Sequence, residues 1–422
     1  MRADEVSGAG ALIGLTLAGG TARVQEVHTA IARRVFTGVG VGVGSLAGPV
    51  RLSHDAVAAT SYGVTRIALR HGIRLAGILA AQRFGDGDRL ADRPRGSRLL
   101  AVLNGTHGDL MAREAAGLAL PMTLRVNGRD VPPARSHLAA AFSSATARLA
   151  VFLHGLVEDE KAWQRGAERH HGLPGVTYGS LLARDLGYTP VWIRYNSGLH
   201  ISDNGRALGE LLEHLVEHWP IDVERVVLIG HSMGGLVGRS ALAHAAEREM
   251  GSAGAWRWPD VVQDTVTLGS PHLGAPLERG ANVLTHALHQ LNETRPLGAV
   301  LASRSAGIKD LRYGNLVEAD WLGHSPDALL SNRRTHIPLH ARARHFVVLT
   351  TVLGSDDSRI GDLVGDLLVR PKSARGESGD EHRWELPEGH ILRLRGLHHL
   401  DLLNHPKVYE RLRSWLADGP AV

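Results

Sequence analysis

"VERVVLIGHSMGGLVGRSAL", residues 223–242, decides how this chain is read. Val226 to Ile229 form an apolar, β-prone run that stops at Gly230. Ser232 stands between Gly230 and Gly234, and Met233-Gly234-Gly235-Leu236-Val237 then opens a helix. In a chain with 50 glycines the bare Gly-x-Ser-x-Gly pattern carries little weight, so the flanking strand and helix have to carry it. A sharp strand–turn–helix junction presents a serine, strained and exposed, at the strand's C-terminal end. The two glycines leave space where side chains would strike neighbouring backbone. The helix N-terminus offers unpaired N–H groups and a positive dipole end to a developing oxyanion. The stretch therefore predicts Ser232 as a nucleophile, against the alternative of a tight turn with no chemistry.

The rhythm around this stretch is strand, helix, strand, helix. ARLAVFLHG (147–155) is a buried strand ending in a glycine turn, YGSLLARDLG (178–187) a short helix and TPVWIRYNS (189–197) the next strand. NGRALGELLEHLVEHW (204–219) is an amphipathic helix with Leu208, Leu211, Leu212 and Leu215 on its apolar side. DTVTLGSPH (264–272) and HFVVLTTVLG (345–354) are further strands. Such alternation predicts an α/β fold with a doubly wound, mostly parallel sheet. Residues 276–340 break the rhythm, where an insertion over the sheet edge would sit.

A nucleophilic serine needs a base, an orienting acid and an oxyanion hole. EGHILRLRGLHHLDLLNHPKVYERLRSWL (388–416) reads as a strand, a turn at Gly396 and an amphipathic helix, with His398 and His399 in the loop between them. His399 is the favoured base and His398 the alternative. For the acid, Asp356 and Asp357 closely follow the strand at 345–354, while Asp366 lies further on. The oxyanion hole would combine the backbone N–H of Leu156, just past His154-Gly155, with that of Met233, the residue after the serine. His154 itself reads as a structural hydrogen-bonding residue.

Composition narrows the field. The chain has 422 residues, 43% of them hydrophobic and 21% charged, as in a globular protein with a sizeable core. It has no cysteine, which excludes disulfides, thiolate metal sites and a cysteine nucleophile. The net charge of +4 comes almost entirely from Arg scattered among Asp and Glu, with Lys only at Lys161, Lys309, Lys372 and Lys407. No basic stripe of the kind nucleic acid requires is present, so no nucleic-acid partner is expected. Asp4 and Glu5 cancel the positive start of a secretory signal, and TGVGVGVGSLAGPV (37–50) is too short and glycine-rich for a membrane span. The expected location is cytoplasmic, with contact at a membrane or lipid surface as the alternative.

Before residue 146 the pattern differs. VQEVHTAIARRVF (24–36) and VAATSYGVTRIALRHGIRLAGILAAQRF (57–84) have helical spacing and predict amphipathic helices. LLAVLNGTHGD (99–109) and MTLRVNGRDV (122–131) read as short strands with turns, Asn127-Gly128 being a hairpin signal. Pro132-Pro133 marks a boundary. The expected division is an N-terminal, mainly helical extension over 1–145 and a catalytic domain over 146–422, with a lid-like insertion at about 276–340.

Taken together, "FLHGL", "GHSMGG", "TLGSPHLGAP", "GDLLV" and "HHLDLLNHP" resemble the α/β-hydrolase-fold bacterial lipases and esterases, in particular those grouped with GPI inositol-deacylase-like serine esterases. The likeness spans about residues 147–418 and rests on five motifs in family order. It implies Asp366 as the acid, His399 as the base, and a lid before the strand at 345–354. Some lipases of this type hold a structural calcium through an Asp just after the catalytic His, here Asp401. No convincing second carboxylate partner accompanies it, so calcium stays the lesser alternative to the expectation of no cofactor. The first 145 residues do not match the core family.

The leading expectation is a serine hydrolase of carboxylic esters, lipid-like ones foremost, working through Ser232, His399 and Asp366. The same triad could serve an acyltransferase, thioesterase or amidase. A reading of another class is a hydrolase-like module that binds lipid or a partner without catalysis. Chain length of the acyl group and oligomeric state are not legible in the sequence.

Overall fold

The computed structural model describes residues 1–43, 47–85, 87–251, 254–274, 304–324, 335–351 and 384–417. Taken over the described residues, they divide into two units: residues 1–100, 109–119 and 304, and residues 101–108, 120–274 and 305–417.

The first unit is helical. Helix α1 spans Ala3–Val43, α2 Ala47–Ile67 and α3 Ile73–Phe84, the last two joined by a π-helical turn at Ala68–Gly72. Gly10 on α1 meets Gly77 on α3 so closely that a Cβ on Gly10 would lie 2.7 Å from the Gly77 Cα. Helix α4 (Pro94–Glu114), whose residues 101–108 belong to the second unit, corrects the reading of 99–109 as a strand. Ser97, Leu100, Asn104, Gly108 and Met111 are buried at three- and four-residue intervals, so the period is helical and not two. The asparagine and glycines that suggested a turn coincide instead with a kink at His107, where φ is −138°.

The second unit is built on an eight-stranded sheet. Strands β1 (Thr123–Val126) and β2 (Arg129–Val131) form the hairpin predicted at Asn127-Gly128, whose φ angles are 50° and 76°. Helix α5 (Arg135–Ala141) leads to β3 (Arg148–Leu153), α6 (Ala167–His171), α7 (Tyr178–Leu186) and β4 (Thr189–Arg194). Then come α8 (Ile201–His218), β5 (Arg225–His231), α9 (Met233–Met250), α10 (Trp258–Val261) and β6 (Val262–Leu268). Helix α11 (Ala306–Tyr313), β7 (Arg344–Thr351), β8 (Ile391–Arg395) and α12 (Pro406–Ala417) complete the unit.

The strand order is β2-β1-β4-β3-β5-β6-β7-β8. Strands β3 to β8 run parallel, and β1 pairs antiparallel with both β2 and β4. The hairpin thus extends the same sheet that carries the strand of Ser232. Burial on both faces explains the apolar runs. Leu149, Val151 and Leu153 of β3 enter one core with α8 and α9, while Ala150 and Phe152 enter the other with α7 and α12. Each large side chain buried this way contributes about 1.5–3 kcal/mol.

From β3 the chain crosses to β4 on one side, and from β4 to β5 on the other side of β3. The carboxyl ends of β3 and β5 are therefore a topological switch point, where open α/β sheets form a crevice. Of the expected insertion, residues 304–324 and 335–340 are described and include α11; the rest of 276–340 lies outside the described residues.

Candidate active site

Ser232 sits at that switch point, between β5 and α9, with φ 53° and ψ −120°. A non-glycine residue in this region is strained and persists only where its surroundings hold it. Here the Ser232 N–H donates to the Leu268 carbonyl at 2.8 Å, tying the turn to the end of β6. A Cβ on Gly230 would overlap the Gly235 nitrogen, and one on Gly234 would overlap the Leu153 carbonyl oxygen. Both glycines are required by close approach, as the sequence predicted. Ser232 remains partly exposed whereas Met233 is fully buried. Met233 is the first residue of α9, so its N–H is among the first-turn donors that lack an intrahelical acceptor.

The loop after β3 closes against the serine. A Cβ on Gly155 would lie 3.2 Å from the Ser232 Cβ. Within this loop the Gly155 N–H donates to Glu158 Oε2 at 2.7 Å, the Val157 N–H to Ser197 Oγ at 3.2 Å and the Glu158 N–H to the Gly155 carbonyl at 3.4 Å. Among the described residues none accepts from Leu156, the donor that the sequence singled out. Val157 adopts φ 57°, an outlier for a β-branched residue, in the middle of this loop. Behind it, Glu160 is clamped by Nε and Nη2 of Arg194, each at 2.6 Å, and by Arg125 Nε at 3.3 Å, all three residues buried.

His399 begins the 3-10 turn between β8 and α12 and is 4% exposed, while its neighbour His398 is exposed. The His399 imidazole lies against Gly269, just past β6: a Cβ there would stand 3.0 Å from Cε1 and 3.1 Å from Nδ1. Gly269 has φ 61°, and its N–H donates to the Val348 carbonyl of β7 at 2.8 Å. Ser232 and His399 are thus both placed on the Leu268–Gly269 end of β6. Asp366, Asp356 and Asp357 lie outside the described residues. The Asp401 carboxylate accepts the His398 N–H at 2.8 Å and so caps the turn.

The structure adds residues that the sequence reading missed. His231 is buried, with its ring 4.8 Å from that of His399 and Nε2 3.3 Å from the His399 carbonyl oxygen. Its Nδ1 lies 3.1 Å from Glu158 Oε2. Burial would raise the Glu158 pKa, but the His231 ring, the Gly155 N–H and His154 together hold it down to about 2. Glu158 thus ties the loop after β3 to the residue before the serine. The signal was the acidic triplet Glu158-Asp159-Glu160 directly after an apolar strand, where solvated carboxylates are unexpected. His154 has a different part. Burial lowers its pKa, its Nδ1–H donates to the Gly155 carbonyl at 2.8 Å, and its Nε2 accepts from the Tyr195 N–H at 3.3 Å.

The sheet order, the strained serine after β5 and the histidine between β8 and the last helix define an α/β-hydrolase fold. Over residues 188–311 the chain matches the family described as PGAP1-like alpha/beta domain. A search of curated protein sequences finds no match. Among solved structures the chain is similar to Bacillus licheniformis lipase BlEst2 in mature form, at 20% identity over 64% of this chain and 91% of that one, with a TM-score of 0.39. It is also similar to Aspergillus fumigatus lipase B, at 13% identity over 70% of this chain and 60% of that one, with a TM-score of 0.38. Staphylococcus hyicus lipase aligns at 13% identity over 64% and 95%, with a TM-score of 0.36.

Proposed function

We propose that this protein is a serine hydrolase of carboxylic esters, with lipid-like esters as its foremost substrates. Ser232 Oγ attacks the acyl carbonyl and its proton passes to His399. The tetrahedral oxyanion is held by the N–H groups of Leu156 and Met233. His399 returns the proton to the departing alcohol, leaving an acyl-serine. Water then attacks that ester, again deprotonated by His399, and releases the acid and the free serine. Asp366 orients the imidazole and stabilises its charged form, as the family resemblance implies. The reaction calls for no cofactor.

The observation that carries this reading is the strained Ser232, packed between Gly155 of the β3 loop and the β6 end where His399 lies. The elimination of the other loop donors in favour of Leu156 supports it further. Glu158 acts as a positioning residue, holding the oxyanion loop in register with His231.

A fluorophosphonate probe and a panel of p-nitrophenyl esters of graded chain length, with and without micelles, test the proposal. Ser232 should be labelled, and hydrolysis should be fastest on medium or long chains presented at an interface. A protein that labels at Ser232 but turns over only thioesters, amides or acyl transfer to added alcohols would replace the ester reading with one of those. Absence of labelling would overturn the nucleophile.

A further inference from the structure

Among the described residues, most of the exposed large hydrophobic side chains lie before residue 103 and not in the sheet unit. On α1, Ile13, Leu17, Val24, Ile31 and Val35 are each about half exposed. Their spacings of four, seven, seven and four residues keep them within about 40° of one line, at about 100° per residue. The line runs for about 33 Å at 1.5 Å per residue. It is not the face α1 uses for packing. That face carries Gly10, Gly14, Ala18 and Ala32, about 40–120° round from the middle of the line, where Gly10 meets Gly77, Gly14 meets the backbone of Arg70 and the two alanines are buried. On α2, Val50, Val57 and Val64 repeat the pattern at seven-residue spacing, all more than 60% exposed.

The charges on these helices are mainly positive. Residues 3–84, which hold α1 to α3, contain eight Arg and no Lys, against Asp4, Glu5, Glu26 and Asp55, a net +4 equal to that of the whole chain. On α1, Arg23 and Arg34 flank the apolar line on its other side, by about 60–80° at 100° per residue. A cavity of about 390 Å³ shows the same pairing. It is lined by Leu15, Ala18 and Ile67 together with Arg66 and Arg70.

We infer that this helical unit docks on the surface of an anionic lipid bilayer, with the α1 and α2 stripes entering the headgroup–acyl boundary and the arginines meeting lipid phosphates. A second copy of the chain would also cover apolar stripes at heptad spacing. It would, however, bring a second +4 against the first, whereas an anionic surface neutralises that charge. Exposed apolar lines flanked by Arg are what interfacial helices require. None of the described helices is long and apolar enough to cross a membrane, so the contact is with the surface. The inference stands on this unit alone and does not depend on the hydrolase reading.

Co-sedimentation of the full chain with vesicles tests it. Vesicles of phosphatidylcholine containing about a third phosphatidylglycerol should bind at least 10-fold more protein than pure phosphatidylcholine, and 0.5 M salt should reverse most of the difference. Leu17→Asp/Val24→Asp/Ile31→Asp should lose binding at least 10-fold while keeping its circular dichroism spectrum and melting temperature. Should that variant fail to fold, Arg51→Glu/Arg74→Glu, at exposed positions, should remove the preference for anionic vesicles. Equal binding to both vesicle types, or no binding to either, would overturn the proposal. So would a dimer in solution that the triple variant converts to monomer without any vesicle binding in the parent.

Discussion

At their N-terminal ends, β5, β6 and β7 bring together Arg225, Asp264 and Arg344; at the C-terminal ends of the same strands stand Ser232 and Gly269. The two ends are built on opposite principles. Asp264 is fully buried, and its carboxylate accepts from Arg225 at 2.6 and 3.0 Å and from Arg344 at 2.8 Å. Both oxygens of the Asp264 carboxylate face a guanidinium. At the other end the backbone is strained at Ser232, Gly269 carries positive φ, and Leu156 keeps an N–H that no described residue accepts. The first end holds the strands together. The second stores strain and holds the Leu156 N–H that we propose for the oxyanion.

That contrast is open to test. The largest effect belongs to Ser232→Ala, which should lower ester turnover by about 10⁴-fold or more with the melting temperature nearly unchanged. Residual turnover within 100-fold of the parent would remove the serine from the chemistry. Asp264→Ala should do the reverse. It takes from the buried Arg225 and the half-buried Arg344 the carboxylate they share, which costs about 3–5 kcal/mol and lowers the melting temperature by roughly 10 °C. The KM for a soluble ester should hold, and a large KM change would mean that the two ends are coupled.

Gly269→Ala probes the junction of strain and chemistry. The methyl group meets the His399 ring and must tolerate φ 61°. We expect a loss of about 10- to 100-fold in kcat, with about 1–2 kcal/mol of stability. Unchanged kcat would place the productive position of His399 elsewhere. Glu158→Gln should show itself in pH dependence. Because the folded carboxyl is depressed from 4.5 to about 2, its contribution to stability is complete above about pH 4.5 and is lost as pH falls toward 2. The variant's melting temperature should therefore fall less steeply than the parent's across that window. Equal slopes would show that the pair with His231 carries little stability. The smallest effect is expected of Val157→Gly. Relief of φ 57° and the added freedom of glycine nearly cancel, so stability should move by less than about 1 kcal/mol while kcat falls as the loop loosens.

Much of this arrangement was legible in advance because its signals are local. The run Val226–Ile229, the flanking glycines and the helix after Ser232 each follow from neighbouring residues alone. The same holds for Asn127-Gly128, where the φ angles that the dipeptide permits are those the turn adopts. The misreading of 99–109 was also local: Leu-rich sequence with Asn and Gly fits a strand or a helix, and burial at Leu100, Asn104 and Met111 decided for the helix. Glu158 and His231 escaped notice because their meaning depends on being opposite one another across 73 residues of chain. Asp366 remains a proposal carried by family resemblance.

By itself the sequence determined the strand–serine–helix junction, the alternating rhythm and the parallel sheet, since periodicity and turn chemistry act over a few residues. Only the tertiary structure decided which of two adjacent histidines is buried beside Gly269, and that Leu156 keeps its N–H while Gly155 and Val157 give theirs away. Those outcomes depend on which groups from distant strands reach hydrogen-bonding distance, and spacing along the chain does not encode that distance. The same division applies to α1. Its heptad line is written in the sequence, but the line's exposure depends on which face the neighbouring helix takes.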